Sequence, residues 1–192
     1  MKWLKYTAVA TVVAAAVAIA TLPGGTLWHE GQFEGRRVRP PVFLSRRPDE
    51  PPDQPLAAWY QRLLATVAAG DVRSGLWYLL EATGWPDNQS CDNVLAWSWS
   101  GGDARHVVVI NFSAQPAQAR IHLDADGNPA AGNLRFTDLL TAGVYLRDGA
   151  EIADLGLYVE LRPWESYLFA WTVSPPTRGI WSATKGPQIC RR

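Results

Sequence analysis

The sequence predicts an α+β chain in which a helix, a short strand and a second helix precede an antiparallel β-sandwich of about eight strands. Three observations predict this order. An uncharged apolar stretch opens the chain, and a later amphipathic helical pattern ends at Gly70. After Gly75, short β-rich runs recur about every ten residues with turn residues between them, a spacing typical of sandwiches and barrels.

Length and composition exclude some classes of function. The chain has 192 residues with 18 basic and 18 acidic side chains, so its formal net charge is zero. A nucleic-acid-binding domain needs a basic face, and we expect no nucleic-acid partner. Cys91 and Cys190 fit no zinc-ligand spacing and are expected to be unpaired thiols, with a disulfide left open for an exported chain. We expect neither a metal ion nor a cofactor.

The apolar stretch at the start of the chain has three interpretations. Lys2 and Lys5 precede residues 6–22, which carry no charge, and Pro23 follows them. This is the pattern of a signal peptide. About 17 residues is also the lower limit for a membrane span. Helices that are apolar on every side also occur buried inside large α/β proteins. Any membrane contact is therefore expected only through residues 6–22.

A loop rich in Pro and Arg leads to the second predicted helix. Residues 36–54 lack a helical pattern because Pro cannot donate a main-chain hydrogen bond and disfavours helix before itself. Their guanidinium groups are expected to pair with nearby carboxylates such as that of Glu50. Leu56–Ala69 has an apolar stripe at helical spacing, with Asp53 as the N-cap and Gly70 as the terminator.

The β-rich part of the chain follows. Residues after 174 have no period and are expected to form a flexible tail, so the predicted division is 1–72, 73–174 and 175–192. The segment Asp124–Asn128 has the composition of a hairpin turn. The predicted strands are Leu76–Leu80, Val94–Ser98, His106–Phe112, Ala119–Leu123, Leu134–Leu139, Val144–Arg147, Leu157–Leu161 and Ser166–Trp171.

The segment "TLPGGTLWHEGQ" at residues 21–32 is followed by the loop, the amphipathic helix and the β-rich runs. Two of those runs are "HVVVINFS" at 106–113 and "GLYVELRPWESYLFAW" at 156–171. This ordered series resembles the C-terminal portion of α-amylase-family glycoside hydrolases, in which an all-β domain C follows a (β/α)8 barrel. The resemblance implies that the first part of the chain is a helix-strand-helix remnant of the barrel and that the sandwich is domain C.

The resemblance also assigns the elements of that remnant. Ala8–Ala20 would be the seventh barrel helix, Thr26–Trp28 the eighth strand and Leu56–Ala69 the last helix. His29, Glu30 and Gln32 then lie just past the strand, at the end where barrel enzymes place their active sites. We expect these three residues to line the substrate cleft, where they would bind sugar hydroxyls or the catalytic carboxylates.

The catalytic groups of the family are not found on this sequence. Its nucleophile Asp, acid Glu and third catalytic Asp belong to the fourth, fifth and seventh barrel strands, which would precede the first helix. We therefore expect no catalytic residue in these 192 residues, no activity of the chain alone and an α-glucan as the ligand of the intact parent. The chain thus resembles the C-terminal end of an enzyme from a truncated reading frame.

Two tryptophans on one predicted strand give a further candidate for sugar binding. Trp97 and Trp99 are two residues apart and point to the same face of their strand. Such a pair can stack on sugar rings, but a Trp more often packs in the core, and this face can also pack against a barrel.

Two hypotheses of function follow. The first is a C-terminal fragment of an α-amylase-type glycosidase of carbohydrate metabolism, with the cytoplasm as the favoured location. The second is an exported or membrane-tethered β-sandwich that binds carbohydrate. The second requires the match of "TLPGGTLWHEGQ" and of the helix after the loop to be coincidence, so the sequence favours the first.

Overall fold

The computed structural model describes residues 2–38, 43, 49–101, 104–123 and 132–173, and for residues 2–10 it describes the backbone alone. Three features predicted from the sequence lie outside this part of the chain: the turn at 124–128, Cys190 and the tail at 175–192. Cys91, the other cysteine, is buried.

Two long helices come first, α1 (Lys2–Thr21) and α2 (Gln54–Ala69), and the β-rich part follows with one short helix, α3 (Gly149–Leu155). All eight predicted strands are confirmed, with ends shifted by a few residues. The two-residue strand β2 and helix α3 were not predicted. The nine strands described are β1 (Leu76–Leu80), β2 (Ala82–Thr83), β3 (Val94–Gly101), β4 (Ala104–Asn111), β5 (Ala117–Ile121), β6 (Asn133–Asp138), β7 (Val144–Asp148), β8 (Leu157–Leu161) and β9 (Ser166–Val173).

Helix α2 begins and ends at the predicted signals. The carboxylate of Asp53 accepts a hydrogen bond of 3.1 Å from the main-chain N–H of Leu56, one of the donors that a helix start leaves without an internal partner. Pro55 occupies the first turn, where its missing N–H costs nothing, and Gly70 follows the last residue. The apolar stripe buries Tyr60 and Leu63.

The predicted strand at Thr26–Trp28 is wrong. These residues are irregular chain between α1 and a turn. A strand needs a neighbour to pair its main-chain N–H and C=O groups, and neither sheet of the described chain offers one to this segment. The first part of the molecule is therefore two helices joined by a turn and a loop, and the α+β class holds without this strand.

The strands form two antiparallel sheets that pack face to face. The large sheet has six strands in the order β1-β3-β4-β9-β6-β7, and the small sheet has three in the order β2-β5-β8. A continuous apolar core fills the space between them, as in other β-sandwiches.

The central strands of the large sheet are buried on both faces. In β4, Val107 and Val109 point to the small sheet, whereas Val108 and Ile110 point to the helices. Because both faces are covered, "VVVI" is a continuous apolar run instead of an alternating one.

Helices α1 and α2 cover the outer face of the large sheet and make the molecule three layers thick. Ala14 and Val17 of α1 and Leu63 of α2 lie in one cluster with Leu168 of β9 and other sheet residues. The helices and the sandwich therefore share a second apolar core. Within the part of the chain that is described, no helix combines the length and hydropathy that crossing a bilayer requires.

Candidate functional site

The residues predicted to line a substrate cleft form a compact turn between the two long helices. Three main-chain hydrogen bonds shape it. They run from the N–H of Gln32 to the oxygen of His29 at 3.1 Å, from Gly35 to Gln32 at 3.2 Å and from Arg36 to Gly31 at 2.9 Å. The side-chain oxygen of Gln32 also accepts from the N–H of His29 at 3.2 Å. The turn thus holds its own shape.

Gln32 also attaches the turn to helix α2. Its Nε2 donates a hydrogen bond of 3.0 Å to the hydroxyl of Tyr60, a side chain that is only 1% exposed. Burial raises the pKa of Tyr60, and the hydrogen bond from Gln32 partly offsets this. The phenol therefore stays neutral, and it accepts from the amide as a dipole and not as an anion.

An aromatic cluster surrounds this hydrogen bond. The ring centroids of Phe33 and Trp28 lie 5.0 and 5.8 Å from that of Tyr60, and 5.5 Å from each other. Tilted and edge-on contacts at these distances are favourable beyond the area they bury. Trp28 precedes the turn and Phe33 lies within it, so the cluster holds the start and the middle of the turn against Tyr60.

The far end of the turn is held against the start of α2. The main-chain N–H of Asp53 donates to the oxygen of Glu34 at 2.9 Å. Gly35 has a φ of 66°, and a Cβ built on it would lie 3.0 Å from Cδ2 of Leu56. Only glycine accepts this backbone conformation and this close approach without strain.

The loop after the turn differs from the prediction in how its charges pair. The carboxylate of Glu50 accepts from the main-chain N–H groups of Arg37 at 2.9 Å and Val38 at 3.3 Å, and the guanidinium of Arg36 donates to the main-chain oxygen of Glu50 at 3.3 Å. The hydrogen bond from Arg37 and the charges of both arginines lower the pKa of Glu50. The predicted guanidinium–carboxylate pairing is thus replaced by main-chain contacts at these residues.

The turn presents two polar side chains to solvent, those of His29 and Glu30, both exposed. Gln32 is half-buried, and both ends of its amide bind within the protein. An imidazole and a carboxylate can donate and accept hydrogen bonds with sugar hydroxyls. Because both ends of its amide are engaged, Gln32 serves to position the turn. Among the residues that the structure describes, no three His, Cys, Asp or Glu side chains come together as metal ligands would.

The predicted stacking pair occupies a different place. Trp97 is 2% exposed and Trp99 is 6% exposed, because both indoles lie under the helices on the outer face of the large sheet. A sugar ring needs an open aromatic face, so neither residue provides a stacking surface in this structure. They are packing residues, which was the other interpretation of their spacing.

The chain was compared with known families, sequences and solved structures. No family model and no curated protein matches the sequence. Solved structures do match. A maltogenic α-amylase from Thermotoga neapolitana matches with a TM-score of 0.67 at 10% identity, over 86% of this chain and 37% of that enzyme. An α-amylase from Geobacillus thermoleovorans, solved with acarbose, matches with a TM-score of 0.66 at 12% identity, over 87% and 34%.

The fold is that of the C-terminal part of α-amylase-family enzymes. A debranching enzyme from Nostoc punctiforme agrees, with a TM-score of 0.56 at 16% identity, over 84% of this chain and 29% of that one. The chain spans about a third of the length of these enzymes. The match confirms the resemblance found in the sequence, and at such low identity it establishes the fold and not the activity.

The aromatic residues around the turn were not predicted to belong to the candidate site. Tyr60 belongs to the apolar stripe of α2, and the sequence shows it only as a packing residue. The signal available was the apolar stripe that includes Trp59 and Tyr60, with Trp28 and Phe33 on either side of "HEGQ". Nothing in the spacing shows that Tyr60 turns its hydroxyl towards Gln32.

Proposed function

We propose that the chain is the C-terminal part of a glycosidase that acts on α-glucans. The two helices and their turn form one side of the catalytic barrel of the parent, and the sandwich supports that side. The observation that carries this proposal is the match of helix, turn, helix and sandwich, in that order, to α-amylase folds over 86–87% of the chain.

An apolar surface on the helix side supports the need for a covering barrel. On helix α1 and just after it, three apolar side chains are exposed: Val12, Ile19 and Leu22. Two more, Leu79 and Leu95, are exposed on the face of the large sheet that the helices cover. A helix that is apolar on every side is typical of one covered on both sides by protein. The remaining barrel would supply the second cover.

The turn supplies the proposed contact with substrate. In barrel enzymes the active site lies at the carboxyl ends of the strands, on the loops that follow them. His29 and Glu30 would line the cleft there and bind sugar hydroxyls, and Gln32 would position them through Tyr60.

We further propose that these 192 residues do not hydrolyse glycosidic bonds by themselves. Hydrolysis requires two carboxyl groups on either side of one bond, at a separation of about 5–10 Å. Two carboxylates near the turn already have other partners. Glu50 accepts main-chain hydrogen bonds in the loop, and Asp53 caps helix α2. The rest of the parent enzyme would supply the catalytic carboxyl groups.

The direct test is an assay of the purified chain on soluble starch and maltoheptaose, measuring release of reducing sugar. We expect no release above that of the Glu30→Gln variant. Turnover that persists through purification and disappears in Glu30→Gln would show that the chain is itself a catalyst.

A second test addresses the missing cover. Without the barrel, we expect the chain to self-associate through its helix side in size-exclusion chromatography. Ile19→Glu should shift it towards the monomer, because Ile19 is 40% exposed there. Leu155→Glu is the matched control, since Leu155 is 44% exposed but lies on α3. Equal behaviour of both variants would argue against an uncovered helix side.

The alternative function is a membrane-tethered sandwich that binds carbohydrate, and the apolar helix α1 is the observation that favours it. Flotation with vesicles of phosphatidylcholine and phosphatidylglycerol separates the two. We expect the chain to stay in the unbound fraction, and flotation that Ile19→Glu abolishes would favour the tethered form.

A further inference from the structure

The two sheets of the sandwich differ in width, and this leaves one flank open. Strand β7 is the edge of the six-stranded sheet, and β8 is the edge of the three-stranded sheet. A cavity of about 530 Å³ lies between them. A second cavity of about 570 Å³ continues beside helix α3, which connects β7 to β8. Arg147 and Tyr158 line both cavities, so we treat them as one flank groove.

The base of the flank groove is aromatic. Tyr167 and Phe169 of β9 are stacked with ring centroids 5.0 Å apart, and Tyr145 of β7 lies edge-on to Phe169 at 5.7 Å. At the junction of the cavities, Tyr158 contacts Trp85 edge-on at 6.0 Å. Tyr145, Tyr158 and Tyr167 are half-buried, so the protein holds each ring in place and leaves part of it open. Rings held in this way bind at a low cost in conformational entropy.

The charges along the flank groove are balanced in each cavity. Two arginines face two glutamates in the first cavity, and two arginines face an aspartate and a glutamate in the second. Arg120 and Glu151 lie 3.6 Å apart, and Arg147 lies over the ring of Tyr145 at 5.7 Å. An anion would meet carboxylates here and a cation would meet guanidinium groups. The charged lining residues are Arg147, Arg162, Glu160 and Glu165 in the first cavity and Arg120, Arg147, Asp148 and Glu151 in the second.

We propose that the flank groove binds a neutral oligosaccharide. Pyranose rings have apolar C–H faces that fit the aromatic base, and hydroxyls that both donate and accept hydrogen bonds, as paired guanidinium and carboxylate groups require. Tyr145 lies on the inner side of the edge strand β8, whereas Tyr158 and the exposed Glu160 lie on its outer side. The glycan would therefore cross the edge of β8, contact a ring on each side and donate hydrogen bonds from its hydroxyls to the carboxylate of Glu160.

This site is separate from the turn at His29. Tyr145 and Tyr167 pack against the core between the sheets, whereas the turn and its aromatic cluster lie with the helices on the other face of the large sheet. A glycan in the flank groove would therefore anchor the chain to its substrate away from the cleft. The groove itself follows from its lining, and only the choice of an α-glucan rests on the proposed function.

The test is calorimetric titration of the full chain with maltoheptaose and, in parallel, cellohexaose. Loss of one aromatic contact is expected to weaken binding about tenfold in Tyr158→Ala. Glu160→Ala changes an exposed side chain, so it tests the same site even if Tyr158→Ala fails to fold. Phe112→Ala is the matched control, because this aromatic side chain is partly exposed and lines neither cavity. His29→Ala tests whether the sugar binds at the turn.

The outcomes are distinct. Binding of maltoheptaose that Tyr158→Ala and Glu160→Ala weaken, and that Phe112→Ala leaves unchanged, supports the proposal whatever the effect of His29→Ala. The same pattern with cellohexaose alone supports the groove and contradicts the α-glucan function. Absence of binding of either sugar at millimolar concentration overturns the proposal. Binding that only His29→Ala removes also overturns it and leaves the function proposed for the turn intact.

Discussion

The indole Nε1 of Trp99 donates a hydrogen bond of 2.6 Å to the main-chain oxygen of Thr21, 78 residues earlier in the chain. Trp99 belongs to β3, and Thr21 is the last residue of α1. Both are buried. The last carbonyls of a helix have no partner within it, and this one finds its partner on the sheet. The bond fixes where α1 ends against the sandwich.

Trp99→Phe should therefore destabilise the chain by about 1–3 kcal/mol, because it leaves the buried oxygen of Thr21 without a donor. Urea unfolding measures this. Trp77→Phe is the matched control, since Trp77 pairs with Trp99 across the strands and its own Nε1 has no hydrogen-bond partner in the described structure. If Trp77→Phe costs as much as Trp99→Phe, lost packing and not the hydrogen bond explains the effect.

The link between Gln32 and Tyr60 should appear as a coupling energy. Gln32→Ala and Tyr60→Phe each remove the same hydrogen bond, so the double variant should lose less stability than the sum of the single variants. We expect a coupling of about 0.5–1.5 kcal/mol from urea unfolding of the four proteins. Strict additivity would mean that the amide does not hold the turn to α2.

The strands could be predicted from the sequence because their signals are local. Val144–Asp148 and Leu157–Leu161 are short β-rich runs bounded by turn residues, and Asp53 caps a helix whose apolar stripe is regular. In contrast, a strand at Thr26–Trp28 depends on neighbours elsewhere in the chain. The resemblance to a barrel assigned that strand, and the described chain offers it no neighbouring strand to pair with.

The site was predictable only in part. The resemblance places His29, Glu30 and Gln32 just past a barrel strand, and they do form one turn. The spacing of Trp97 and Trp99 leaves packing and sugar stacking both open, because it does not show that helices cover the outer face of their sheet. The open flank arises from the unequal number of strands in the two sheets, which is a property of the whole topology.

His106 should make the chain sensitive to mild acid. Burial lowers its pKa in the folded state, and the negative charge of Asp71 opposes this only in part. The unfolded chain then binds a proton near pH 6.5 that the folded chain does not, so stability falls as the pH drops from about 7 to about 5. His106→Gln should lose less stability than the wild type over this range in urea unfolding. Equal losses would mean that other groups govern the acid response.

Tyr167 should make the chain sensitive to alkali. Burial, followed by the charge of Glu165, raises its pKa to about 12. The folded state therefore favours the neutral phenol. Its contribution is complete below about pH 10, where the unfolded tyrosine begins to ionise, and it is lost as the pH rises towards 12. Tyr167→Phe should flatten the decline in stability between pH 10 and 12, measured by urea unfolding. An unchanged decline would contradict the raised pKa.

Gly75 directly precedes β1 and lies against the main chain of β3. Its replacement should be among the single changes that lower stability most. Its φ is 90°, and a Cβ built on it would lie 2.0 Å from the main-chain oxygen of Ser100, the partner of Leu76 in β3. The left-handed conformation costs an alanine about 1–2 kcal/mol. The clash adds to that cost because a paired strand would have to move. Gly75→Ala should therefore lower the free energy of unfolding by more than about 2 kcal/mol.

Gly25→Ala is the matched control for this change. No atom lies within 4 Å of a Cβ built on Gly25, and its φ is not positive. We expect a change within about 0.5 kcal/mol for this exposed position. Thermal and urea unfolding of the two variants can be compared directly, since each adds one methyl group to a glycine outside the strands. Similar stabilities of the two variants would mean that the β1–β3 edge yields to admit a side chain, in which case the edge is a loosely held part of the large sheet.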